Sequence, residues 1–103
     1  MGDELNKEIM AKIRQRRAQI LIHSSIYYTF DDNIVPDFKY DNWAKELVYL
    51  QHKYPKESKA VKFFQKEFST YEGSTGFDLP INNVDVREKA KYLLKLRDKN
   101  KGM

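Results

Sequence analysis

Residues 22–55 read I-H-S-S-I-Y-Y-T-F-D-D-N-I-V-P-D-F-K-Y-D-N-W-A-K-E-L-V-Y-L-Q-H-K-Y-P, and this stretch decides the fold. Two adjacent tyrosines, Tyr27 and Tyr28, close an apolar segment. A break follows with Asp31, Asp32, Asn33 and Pro36. Proline holds the residue before it in extended backbone, so Val35 cannot continue a helix. Beyond the break, Asp37, Tyr40, Asp41 and Ala44 recur at intervals of three and four, the spacing of one helix face. The pattern predicts two helices folded back on each other. Phenol rings from the end of the first then lie close to carboxylates on the first turns of the second.

Upstream, no Pro or Gly interrupts residues 3–35. Leu5, Ile9, Ile13, Ile20 and Tyr27 form a stripe, with Met10, Leu21 and Ile26 beside it, predicting one long helix over 4–29. Asp3 suits its N-cap, and Asp3 with Glu4 suits its dipole. Arg14, Arg16 and Arg17 continue a basic run from Lys12. They read either as a solvated face or as contacts to a phosphate or a nucleic acid. His23 has no neighbour at metal-ligand spacing, and no metal site is expected.

The second helix is predicted over 38–54, with Tyr40, Trp43, Ala44, Leu47, Leu50 and Tyr54 as its apolar stripe and Pro55 at its end. Asp37 then stands at the N-cap, which by itself accounts for an acid there. Tyr40 fits core packing as well as a ligand wall. A third helix is predicted over 58–71 on the strength of Val61, Phe64, Phe68 and Tyr71, with Phe63 alongside. The segment E-G-S-T-G-F-D-L-P-I-N-N lacks the Gly-Lys-Ser/Thr ending of a phosphate loop and reads as a packed turn, with Phe77 and Leu79 pinned into the core. A last helix over 85–99 opens on a capping box of Asp85 and Glu88 and buries Val86, Ala90, Leu93 and Leu94.

The sum is an all-α chain. It forms a small four-helix domain built on an antiparallel helical hairpin (4–55), with two C-terminal helices in 56–103. At 103 residues it is one domain's worth of sequence, able to bury roughly 60–65% of its unfolded surface. The thirteen Tyr and Phe residues supply ample core material. Cysteine is absent, which removes disulfides and thiolate metal sites. No apolar run approaches the roughly 20 residues of a membrane span, and no signal-peptide pattern opens the chain. A net charge of +4 is a mild basic excess. It leaves nucleic-acid binding open but supplies no continuous basic recognition face.

The opening stretch resembles the N-terminal Ia domain of the bacterial NAD-dependent DNA ligases, whose pattern runs H-x-x-x-Y-Y/H-x-x-D, then D-x-x-Y-D, then E-L-x-x-L and a closing proline. His23, Tyr27, Tyr28, Asp31, Asp37, Tyr40, Asp41, Glu46, Leu47, Leu50 and Pro55 fall at the matching offsets. Asn33 replaces a family proline and Trp43 a family leucine. The likeness covers roughly a third of the chain and stops after Pro55. It implies a helical cap that binds the nicotinamide mononucleotide (NMN) half of NAD, with Tyr27, Tyr28, Asp37, Tyr40 and Asp41 lining the pocket and His23 near it. Short free-standing versions of the domain look like phage and prophage proteins, which implies the cytoplasm of a bacterial host cell.

The resemblance does not bring catalysis with it. Ligases adenylate a lysine in a K-x-D-G motif, and these residues contain none. No Ser/His/Asp or Cys/His set is present. The expectation is therefore a non-catalytic module binding NMN or NAD. The alternatives are a module or inhibitor that binds a host replication or defence protein, and a weak nucleic-acid binder acting through Lys12, Arg14, Arg16, Arg17 and the basic tail.

Overall fold

A computed structural model describes residues 4–73, 76 and 78–101. It is all-helical, with no strand among the described residues. Among the described residues five helices follow in order: α1 (Lys7–Tyr28), α2 (Asp37–Lys53), α3 (Pro55–Ala60), α4 (Gln65–Phe68) and α5 (Val84–Lys101). α1 is the central rod, packed against α2, α3 and α5. That position explains why it lacks a single apolar stripe: Ile13, Arg17, Ile20, Leu21, Ser24, Ser25 and Ile26 are all buried on it. The core joins Ile13, Ile20 and Leu21 to Ala44, Leu47 and Leu50 of α2. Val61, Phe68, Tyr71, Leu79, Ile81 and Val86 pack on from the C-terminal half. Burying such side chains contributes about 1.5–3 kcal/mol each.

The helix starts differ from the sequence-based expectations. α1 is capped by Asn6, whose Oδ1 accepts from Glu8 N (3.0 Å) and Ile9 N (3.2 Å). Asp3, the expected cap, lies outside the described residues, as does Phe77. At α5 the cap is Asn83, accepting from Asp85 N (3.0 Å) and Val86 N (3.3 Å), so Asp85 stands inside the helix rather than heading a capping box. α2 begins one residue early. Its N-cap is Pro36, which has no side-chain donor or acceptor, and Asp37 is the first helical residue. Leu79 is buried as expected.

The predicted third helix is two short ones separated by a kink. Val61 is extended, and Phe64 takes a left-handed conformation with φ +50°. The cause is Arg17. Its guanidinium is buried and donates to Ser58 O (2.9 Å), Val61 O (2.8 Å) and Phe63 O (2.9 Å), and to Ser58 Oγ (3.0 Å) and Gln51 Oε1 (2.9 Å). In a continuous helix those carbonyls would face amides four residues on. Here a buried cation takes them, and the chain bends around it.

Candidate functional site

A cavity of about 230 Å³ opens where the end of α1, the connecting turn and the first two turns of α2 meet. α1 contributes His23, Ser24, Tyr27 and Tyr28. The turn contributes Asn33, Ile34 and Val35. α2 contributes Asp37, Tyr40 and Asp41, and Gly76 reaches in from the C-terminal half. All six residues singled out in the sequence as ligand-binding, His23, Tyr27, Tyr28, Asp37, Tyr40 and Asp41, thus border one space. Helical geometry makes this so: Asp37, Tyr40 and Asp41 share a face by their spacing, and the short turn sets that face beside the last turn of α1.

The floor is built from Ser24 and Tyr40, whose hydroxyls share a 2.7 Å hydrogen bond. Burial pushes the Tyr40 phenol above its ordinary pKa, with Tyr28 and Asp41 adding to the rise. It therefore stays protonated. Tyr71 lies behind it, and its hydroxyl approaches Tyr40 without reaching hydrogen-bond geometry. Gly76 closes the floor. A Cβ there would sit 1.9 Å from Ser24 Oγ and 2.7 Å from the Tyr40 hydroxyl, so only glycine fits.

The mouth is aromatic and acidic. Tyr27 and Tyr28 meet edge to face at 4.8 Å, and both are exposed. Asp37 and Asp41 are exposed on α2. Asp37 makes no capping bond; it stands in the first turn of α2, where its carboxylate suits the helix dipole. His23 leans on Trp43 with ring centroids 5.1 Å apart. Burial, reinforced by Lys39, lowers its pKa below 6.5, which keeps the imidazole neutral at pH 7. Lys39 itself lies over the Trp43 ring at 6.0 Å.

The three arginines read as either a solvated face or a phosphate contact do not border this cavity. Arg17 is consumed in the core, as described above. Arg16 pairs with Glu46 through its Nε and donates to Gln19 Oε1 at 2.6 Å. Arg14 stacks on Phe63 at 4.5 Å, on another face of α1. Their spacing sends them in different directions around the helix. Conversely, Ser24, Asn33, Ile34, Val35 and Gly76 were not foreseen as lining residues. Ser24 carried a signal, standing four after Ile20 and three before Tyr27. Gly76 carried none, since its role is a long-range contact. Among the described residues, no group of three His, Asp or Glu side chains could hold a metal ion. No helix among them is long and apolar enough to cross a membrane.

Fold and cavity define a helical-hairpin domain with an acidic, aromatic-walled recess. Residues 6–60 match the family described as the DNA ligase-like, N-terminal NAD+-binding domain, and the chain belongs to that family. It is 29% identical over 107 aligned residues to a DNA ligase of Pseudothermotoga lettingae, an alignment covering 94% of this chain and 16% of that enzyme. The DNA ligases of Acholeplasma laidlawii (40% over 48 residues) and Petrotoga mobilis (38% over 52) align with 47% and 50% of the chain and with 7% and 8% of their own lengths. The chain therefore spans a small fraction of these relatives. The first alignment also corrects one expectation: the likeness to ligases does not stop at Pro55. No solved structure matches the chain.

Proposed function

We propose that the cavity binds a nicotinamide nucleotide, NMN or the NMN half of NAD, and that these residues act as a binding module rather than a catalyst. The observation that carries this is the convergence of His23, Tyr27, Tyr28, Asp37, Tyr40 and Asp41 on one recess in a chain of the NAD+-binding family. Oxidised nicotinamide carries a positive ring. Tyrosine faces attract such a cation by about 0.5–2 kcal/mol each, and Tyr27 and Tyr28 both border the recess. Asp37 and Asp41 add Coulomb attraction and can accept hydrogen bonds from the ribose hydroxyls or the carboxamide. Neutral His23 and protonated Tyr40 provide polar contacts without adding positive charge. A binding role accords with the absence of K-x-D-G from these 103 residues. The same proposal treats 4–55 and 56–103 as one unit, since Gly76 completes a recess framed by the hairpin, and places it in the bacterial cytoplasm where the ligand pool lies.

The test is a titration of the purified protein with NMN, followed by Trp43 and tyrosine fluorescence and by amide shifts. Saturable binding that is lost in Tyr27→Ala and Asp41→Ala is the expected result. Silence at millimolar NMN rejects it. A second reading, that the recess is a docking point for another protein, is favoured by the exposure of Tyr27 (57%) and Tyr28 (41%), which border it. A partner that protects those two rings from solvent, in a protein blind to NMN, would carry that reading.

A further inference from the structure

We infer that α5 is the contact face of a weak antiparallel homodimer, in which one exposed side of the helix packs on the same side of a second copy of this chain. The dimer concerns a surface of α5 and stands whatever the recess binds.

One side of α5 faces inward. Val86 and Ala90 are buried there, and Arg97 leaves the helix for Asp32. Asp85, Lys89, Tyr92, Leu96 and Lys99 lie on another side, and all five are exposed. They recur at intervals of four, three, four and three, the period of a seam by which one helix packs along another. Tyr92 leaves 59% of its surface in water and Leu96 39%. The seam runs for about 21 Å of helix.

Charge decides the occupant. The acids of this side, Asp85 and Glu88, stand at the start of α5, and Lys95 and Lys99 stand at its end. A second α5 laid antiparallel, with the two-fold axis at Tyr92, sets Asp85 beside Lys99 of the second copy and Glu88 beside Lys95 of the second copy. Symmetry then supplies both contacts twice. Glu88 and Lys95 are seven residues apart, so they flank the seam on one edge, and in an antiparallel pair like edges meet. Tyr92 meets its own copy as an aromatic pair. Leu96 is covered by the apolar stem of Lys89. A parallel pair would instead set Asp85 on Asp85 and Lys99 on Lys99. A polyanion fits the face poorly, since two carboxylates occupy one end of it. Glu88 already pairs with Lys91 at 3.2 Å, but both are exposed, and such a contact exchanges partners at little cost. Two apolar side chains make a small seam, so the association is weak.

Sedimentation equilibrium of the full chain at low salt is expected to show monomer at micromolar concentration and a growing dimer fraction at concentrations on the order of 0.1–1 mM. Added salt is expected to dissociate it. Tyr92→Glu brings two carboxylates together on the axis and is expected to weaken dimerisation at least about tenfold, with helical content unchanged. Glu88→Lys and Lys95→Glu are each expected to weaken it about threefold or more, and the double variant Glu88→Lys/Lys95→Glu to return to within about threefold of wild type. A chain that stays monomeric at about 1 mM overturns the inference. So does a dimer indifferent to Tyr92→Glu, or a double variant that associates no better than its two parents.

Discussion

Arg97, near the end of α5, grips Asp32 in the turn between α1 and α2 through two parallel bonds, Nη1 to Oδ1 at 2.9 Å and Nη2 to Oδ2 at 2.8 Å. Nη1 also donates to the carbonyl of Asn33 at 2.9 Å. The next residues, Ile34 and Val35, border the recess together with Asn33. A helix from the far end of the chain thus fixes one wall of a site built mainly by the hairpin. Thr29 Oγ1, donating to Asn82 Oδ1 at 3.2 Å, ties the same corner again. Planar, bidentate geometry gives this contact directional strength that a lysine cannot reproduce.

On the nicotinamide reading, releasing that wall is expected to weaken ligand binding without unfolding the protein. Arg97→Ala and Arg97→Lys are each expected to lower NMN affinity by about tenfold, since a loose wall must be ordered on binding. Helical content by circular dichroism stays at the wild-type level. The pair is partly exposed, so salt screens it. Wild-type affinity is expected to fall with ionic strength, and the Arg97→Ala protein to show a shallower dependence. Equal affinity in both variants and wild type rejects the positioning role.

Arg17 is structural, and its removal is costly. Arg17→Leu strands the carbonyls of Ser58, Val61 and Phe63, each worth about 1–3 kcal/mol when buried without a donor. A loss of about 3–5 kcal/mol is expected, read from the urea midpoint. Burial lowers this guanidinium to a pKa of about 10, so it remains charged at neutral pH and the bonds persist. A variant within 1 kcal/mol of wild type would show that the α3–α4 kink stands without its cation.

The hairpin was legible because its signals are local: paired tyrosines, a turn marked by Pro36, and Asp37, Tyr40, Asp41 and Ala44 at intervals of three and four. The burial of Arg17 was half legible. It stands four after Ile13 and three before Ile20, on the stripe from which the sequence predicts the first helix, yet arginine is so seldom buried that the basic run outweighed the periodicity. The break between α3 and α4 was not legible at all. Val61, Phe64, Phe68 and Tyr71 satisfy a helical period, and only a guanidinium from a distant segment removes the carbonyls that period needs. The caps at Asn6 and Asn83 were missed because nearby acids offered equally good local chemistry.

Gly76 tests how tightly the floor is closed. Gly76→Ala drives a methyl into Ser24 Oγ, which cannot swing aside without giving up its 2.7 Å bond to Tyr40. A loss of about 1–3 kcal/mol is expected, with NMN affinity falling as Tyr40 shifts. Thermal unfolding and the titration read the two effects separately. Ser24→Ala retains the Cβ 2.7 Å from the new methyl, so it relieves the Gly76→Ala variant only in part.

Tyr71 offers the opposite sign. Its hydroxyl is buried with no hydrogen-bond partner, while its ring packs on Phe68 at 5.3 Å. Tyr71→Phe keeps the ring and removes the unpaired oxygen. Stability is expected to be unchanged or to rise by up to about 1 kcal/mol, measured by urea unfolding. A clear loss would mean that the hydroxyl supports Tyr40 after all.

His23 makes stability depend on pH. In the folded protein its pKa lies below the ordinary 6.5, chiefly through burial and secondly through Lys39. Between the folded and unfolded values, the unfolded chain binds more protons. Stability therefore rises with pH across that window. It is fully present above pH 6.5 and is lost as the pH falls towards the folded value, with a slope of at most about 1.4 kcal/mol per pH unit for one group. Urea midpoints from about pH 7.5 to 5 are expected to fall in the wild type and to flatten in His23→Gln, which keeps a polar side chain without the titration. The bound cation should respond in the same direction, because a protonated imidazole beside Lys39 opposes a pyridinium ring, while Asp37 and Asp41 still attract it. An NMN affinity that holds steady from pH 7 to 5.5 in the wild type, alongside a falling urea midpoint, would place His23 in the fold but outside the ligand's reach.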